Sequence, residues 1–139
     1  MVTIRQAQPG DMEAIFRLAR DFATSFVPEE DAFRTSFAAV LGDPDACLLV
    51  AEIDEYVVAY VLAFFHHTFY ANGRVAWVEE IMVHENYRKH GIGKRLMDGV
   101  ENWAAEQNCK LIALATRRAS NFYEAIGYEA SATYYRKLI

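Results

Sequence analysis

Cysteine is scarce: two residues in 139. Cys47 and Cys109 share no CxxC or Cys/His spacing, so neither a disulfide framework nor a cysteine metal site is indicated. Both sit among apolar neighbours and read as buried thiols in a reducing cytoplasm. Proline is equally sparse, at three residues, and no Pro/Gly/Ser-rich linker, repeat or low-complexity stretch divides the chain. Residues 1–139 are therefore expected to form one domain. No apolar run approaches the roughly 20 residues a bilayer-spanning helix needs; the longest is Tyr56 to Phe65. The start, Met1 to Gln6, lacks the apolar core of a signal peptide. Positive charge is in deficit, 14 Lys and Arg against 19 Asp and Glu, for a net charge of −5. That balance argues against non-specific binding to nucleic acid or anionic membranes. Apolar residues are plentiful, at 53%, enough to exclude a disordered chain.

The patterning predicts a strand over Val2 to Gln6. A helix N-capped by Asp11 follows, with Met12, Ile15, Phe16, Ala19 and Phe22 at helical spacing. Pro28 opens a second helix with Phe33, Phe37 and Val40/Leu41 on one face. After the Gly42-Asp43-Pro44-Asp45 turn, the runs Cys47 to Ile53 and Tyr56 to His67 flank Asp54-Glu55 as a β-hairpin. A strand is expected over Arg74 to Val83, a helix over Lys94 to Gln107 and a buried strand over Lys110 to Ala115. A short helix over Ser120 to Ile126, ended by Gly127, precedes one or two closing strands in Tyr128 to Ile139. The order β-α-α-β-β-β-α-β-α-β implies an α/β fold. Its central sheet is mixed and mostly antiparallel, with helices on both faces and one parallel βαβ crossover.

The segment with chemistry is Val83 to Arg95. Gly91 and Gly93 allow tight turns and close approach of backbone amides. The helix start adds unsatisfied N–H groups and partial positive charge, an anion site suited to phosphate or pyrophosphate. Arg88, Lys89, Lys94 and Arg95 reverse the local sign of charge. A P-loop is excluded, because the required upstream glycine is missing and Arg95 follows Lys94. The Rossmann fingerprint lacks its third glycine and sits too late in the sheet. A solvated basic helix start is the plain alternative.

Arg88-Lys89-His90-Gly91-Ile92-Gly93 resembles the R/Q-x-x-G-x-G/A motif of the GNAT family of N-acetyltransferases. Trp77 to Val83 is similar to that family's fourth strand. The stretch Ala119 to Tyr128 is similar to its A-x-x-FYE-x-x-GF signature, and Ile4-Arg5-Gln6-Ala7 with Asp11 to its first strand and helix. One departure is Thr116, where many members carry Asn.

The resemblance implies acetyl-CoA as donor and a primary amine, on a small molecule or peptide, as acceptor. Backbone amides from Lys89 through His90, Gly91, Ile92 and Gly93 to Lys94 would hold the pyrophosphate, with the Arg88 and Lys89 side chains nearby. The pantetheine arm would pair with the backbone of Ile81 and Val83, and an N–H near Met82 would polarise the thioester carbonyl. Asn121 would bond the pantetheine or thioester region.

An alkylammonium must lose a proton to attack, at a cost of about 4 kcal/mol at pH 7. Glu79 and Glu80, neighbours separated by strand alternation, are both candidate bases, acting directly or through water. The resemblance favours Glu79 as base and Glu80 as an acceptor-binding group, the plain alternative being a glutamate that meets a helix-side cation or solvent. The resemblance places Tyr123 where it would protonate the leaving thiolate, its plain alternative being a core aromatic beside Phe122. His66 and His67, adjacent on a strand, point to opposite faces, and no metal is expected. The acceptor pocket is expected from Ala23 to Phe33, His66 to Arg74 and the closing strands. The acidic Glu29, Glu30 and Asp31 either attract a cationic acceptor or simply start a helix. The family also suggests a homodimer. The competing class is a non-catalytic acyl-CoA sensor or regulatory module, which would need neither base nor acid.

Overall fold

A computed structural model describes residues 1–22 and 25–139. Strand β1 (Val2–Gln6) leads through a 3-10 turn (Pro9–Asp11) into α1 (Met12–Phe22), then α2 (Glu30–Leu41). Strands β2 (Ala46–Ile53), β3 (Tyr56–Thr68) and β4 (Gly73–Val83) follow, then α3 (Ile92–Glu106), β5 (Ile112–Leu114) and α4 (Ser120–Ala125). The sheet runs in the order β1-β2-β3-β4-β5. Its first three pairings are antiparallel and β4–β5 is parallel, so the expected mixed sheet is present. Asp54 and Glu55 close the β2–β3 hairpin with both φ angles positive, at 50° and 70°. That is the backbone twist a two-residue hairpin turn demands.

Helices cover both faces. Leu96, Met97 and Val100 of α3 pack on Leu49, Ala51, Val61 and Val78, together with Tyr123 of α4. Ile15 and Leu18 of α1 and Phe37 of α2 pack on Val50 and Tyr60 from the other side. Alternate side chains of β2 and β3 thus serve opposite layers, which is why both strands read as unbroken apolar runs.

Four expectations are corrected. Asp11 does not N-cap α1: Pro9 starts the turn earlier, Gln8 takes the cap position, and the Asp11 carboxylate reaches back to the Gln8 N–H at 2.7 Å. At 8% exposure, Asp11 also receives Arg5 Nη1 at 2.8 Å and Nη2 at 2.9 Å. Helix α3 begins at Ile92, two residues before the expected Lys94, because the left-handed Gly91 already serves as its N-cap. Cys109 is half-buried rather than buried, at the turn beyond α3. Finally, residues 128–139 form no strand. Strand β5 ends the sheet at three residues, and the segment does not pair with it. The tail instead lies over the sheet, Tyr134 stacked on Trp77 at 6.4 Å and Arg136 donating to Ser25 Oγ at 2.9 Å.

Candidate active site

Strand β5 pairs with Ala76, Trp77 and Val78 and no further, so β4 loses its partner on that side from Glu79 onward. On its other side β4 stays paired with β3 to Val83. The His84 N–H donates to the Val58 carbonyl at 2.8 Å across the Ala59–Val83 pair. In an antiparallel ladder this makes Val83 a non-hydrogen-bonded position, and by alternation Ile81 as well. The N–H and C=O groups of Ile81 and Val83 therefore face the open edge. Those of Met82 face Tyr60, so the expected free amide near Met82 belongs to one of its neighbours instead. A wedge of unpaired backbone opens between β4 and β5, a template for an added strand.

The wedge leads to the start of α3. Gly91 has φ +80°, and no side chain caps the helix. Its first internal bond runs from the Arg95 N–H to the Gly91 carbonyl, at 3.1 Å. The amides of Ile92, Gly93 and Lys94 precede it and have no intrahelical acceptor. Lys89 is also left-handed, φ 65°, and such turns orient successive amides into anion-binding concavities. A Cβ built on Gly91 meets nothing within 4 Å, so the mouth is open. Gly93 serves otherwise than expected: it lies inside the helix, where a Cβ would stand 3.3 Å from the Phe122 ring. Its missing side chain lets α4 pack close, while its amide stays among the three without an intrahelical acceptor.

The basic side chains contribute less than their number suggests. Lys94 pairs with Asp98 at 3.1 Å, and Arg95 Nη1 donates to the Val2 carbonyl at 2.8 Å. Arg88 folds back over the open edge, Nε donating to the Val83 carbonyl at 2.9 Å. Lys89 and His90 are exposed. What this helix start offers an anion is therefore main-chain amides rather than a cationic cluster, an arrangement that could hold a diphosphate joined to an extended arm.

The two glutamates do not alternate. Leu62 pairs with Glu80 and Ala63 with Val78, so Glu79 is the extra residue of a β-bulge. Glu79 is exposed and lines a cavity of about 560 Å³ with Phe64, His66, Tyr70, Val75 and Trp77. Glu80 accepts a 2.7 Å hydrogen bond from the hydroxyl of Tyr60, which is 1% exposed. Burial, and the carboxylate beside it, push the Tyr60 phenol up, so it remains a donor. Phe64, His66 and Tyr60 share one face of β3, so the bulge turns both carboxylates to the α1/α2 side. Nothing local flagged Tyr60, which sits inside the apolar run; the adjacent glutamates in an apolar strand were the only sign of the bulge.

Tyr123 is 7% exposed on α4, edge-on to Phe122 and Tyr128 with ring centroids at 5.0 and 5.8 Å. Burial pushes its phenol up, keeping it protonated at neutral pH. Its hydroxyl has no hydrogen-bond partner among the described residues, yet no buried side-chain oxygen there is left orphaned, so it meets solvent. Asn121 is exposed on the same helix. Thr116 Oγ1 accepts the Ala119 N–H at 3.0 Å and fixes the turn into α4. His66 and His67 are exposed, and no cluster of metal-binding side chains occurs among the described residues. Glu30 pairs with Arg34 at 3.1 Å within α2. Ala23, expected at the acceptor pocket, lies outside the described residues.

The model of the "Acetyltransferase (GNAT) family" matches residues 12–128. A thialysine N-epsilon-acetyltransferase of Bos taurus is 32% identical, covering 91% of this chain and 83% of its own. The crystal structure of a transcriptional regulator from Bacillus halodurans superposes with a TM-score of 0.90 at 27% identity, over 100% of both chains. AAC(6')-Iy, solved with a bisubstrate analogue containing CoA, shares the fold with a TM-score of 0.83 at 23% identity, over 100% of this chain and 99% of its own. By sequence and by architecture, this chain belongs to the GNAT family of acetyltransferases.

Proposed function

We propose that this chain moves the acetyl group of acetyl-CoA to a primary amine, on a small molecule or peptide, by direct attack on the thioester. One observation carries the reading: the unpaired edge of β4 runs into the uncapped start of α3. A strip of amides for an extended arm thereby meets an amide cradle for a diphosphate. Acetyl-CoA supplies an activated acyl group; the protein holds and aims it. The N–H groups of Ile81 and Val83 offer donors to the carbonyl oxygen as charge develops there.

Glu79 takes the proton of the attacking ammonium, directly or through water, and Glu80 holds the acceptor beside it. The amine nitrogen bonds the carbonyl carbon, the C–S bond breaks, and Tyr123 protonates the departing thiolate. Asn121 is assigned to the pantetheine arm, and Arg88 and Lys89 to the phosphates. Arg88 first releases the Val83 carbonyl.

Residues 1–139 are read as one such domain. The two free thiols support a cytoplasmic setting; among the described residues, no helix is long and apolar enough to cross a membrane. The exposed Tyr135, Leu138 and Ile139 support a homodimer. The test is thiol release from acetyl-CoA across a panel of primary amines. Release dependent on the amine supports the reading. Tight acetyl-CoA binding with no release from any amine assigns the chain to the non-catalytic sensors instead.

A further inference from the structure

Beside the candidate base lies a cavity lined by none of the residues assigned above to acetyl-CoA. Phe64, His66, Tyr70, Val75 and Trp77 line it, and Glu79 stands within it. The lining holds one carboxylate and no lysine or arginine. Trp77 is covered in turn by Tyr134 at 6.4 Å, so the tail extends the aromatic surface. Arg136 of the tail is turned elsewhere, donating to Ser25 Oγ at 2.9 Å. At about 560 Å³ the space falls within the roughly 300–1,000 Å³ typical of small-ligand sites.

Taking acetyl transfer to an amine as given, we propose that this cavity receives the acceptor's stem and selects a primary alkylammonium whose stem is uncharged and apolar. The ammonium meets Glu79, and the aromatic rings cover the methylenes and favour the cation. A phosphate or carboxylate on the stem would enter a space that offers it a glutamate and no lysine or arginine, and would be repelled there and lose hydration without a strong partner.

The experiment is a chain-length series. Ethylamine, butylamine and hexylamine are compared as acceptors by kcat/KM, with glucosamine 6-phosphate as the anionic amine. Affinities for the same compounds on the CoA-loaded protein are measured by ligand-observed NMR. We expect kcat/KM and affinity to rise about two- to fourfold per added methylene. Trp77→Ala should flatten that slope and Trp77→Phe should keep it. Glucosamine 6-phosphate should be at least tenfold poorer than hexylamine. Because a slope is a ratio within one variant, general damage to folding or chemistry cancels from it. A flat series in the natural protein, a slope untouched by Trp77→Ala, or a preference for the phosphorylated amine overturns the proposal. If no amine releases thiol yet the NMR affinities keep their slope, the stem site stands and the acetyl-transfer reading fails. If thiol is released with a flat series, the stem site alone fails.

Discussion

Glu79 and Glu80 are chemically the same side chain one residue apart, and the backbone gives them different work. Glu79, extruded by the bulge, is exposed and lines the aromatic cavity. Glu80 has one oxygen held by a buried phenol. Removing that phenol leaves a half-buried carboxylate short of a donor, which costs about 1–3 kcal/mol. Tyr60→Phe should lower the urea-unfolding free energy by about that amount and raise the acceptor KM. Stability and KM both unmoved would mean that Tyr60 is only a core ring. For Tyr123, the raised phenol suits a proton donor at neutral pH. Tyr123→Phe should reduce kcat by about 10²–10⁴-fold, with acetyl-CoA affinity kept, in steady-state kinetics paired with calorimetry. An unchanged kcat would return Tyr123 to the core. Glu79 and Tyr123 were legible in the sequence only as candidates, through the family resemblance. Tyr60 was not, since a tyrosine within an apolar run announces packing and nothing more.

At the scale of elements, the start of α3 matters most. Gly91 has φ +80°, where a branched side chain is strained by about 1–3 kcal/mol. The space above it is open to the ligand, with no protein atom within 4 Å of an added Cβ. Gly91→Val should therefore fold, with a lower melting temperature, and bind acetyl-CoA at least tenfold more weakly in calorimetry; retained affinity would contradict the amide cradle. The opposite end of the sheet is tied by Arg5, which bridges Asp11 and Glu52 at 2.8 Å each and so joins the 3-10 turn ahead of α1 to β1 and β2. Bonding to Arg5 holds the Asp11 carboxyl below its ordinary value of 3.8. A lowered folded value means that the ionised form stabilises the fold. The contribution is complete above the unfolded value and is lost as pH falls through the folded one. Asp11→Asn should cost about 1–3 kcal/mol at pH 7. The gap to the natural protein should close as urea titrations move below about pH 4. A gap constant with pH would remove the ion pair from the account.

For the whole molecule, the central sheet is sealed by a helical layer on each side, and Cys47 reports on that seal. Burial pushes its thiol up to about 12, whereas Cys109 is half-buried at the end of α3. With Ellman's reagent at pH 8, Cys109 should react first. Cys47 should react only as the sheet opens, at a rate that tracks the unfolding equilibrium in urea. Fast native-state labelling of Cys47 would show a core more open than the packing implies.

What the amino-acid order determined by itself was whatever depends on neighbours in sequence. It set the alternation and runs that make β1 to β4, the helical spacing of α1 to α3, and the glycine at the mouth of α3. Their succession carried the family resemblance. What only the tertiary structure decided depends on which strand lies beside which. The three-residue length of β5 frees the edge of β4, and residues 128–139 stay outside the sheet. The mismatch between β3 and β4 that extrudes Glu79 is likewise a property of the pair and of neither strand alone. Registers and edges arise from hydrogen bonds between distant segments. No local pattern of side chains records where those bonds stop.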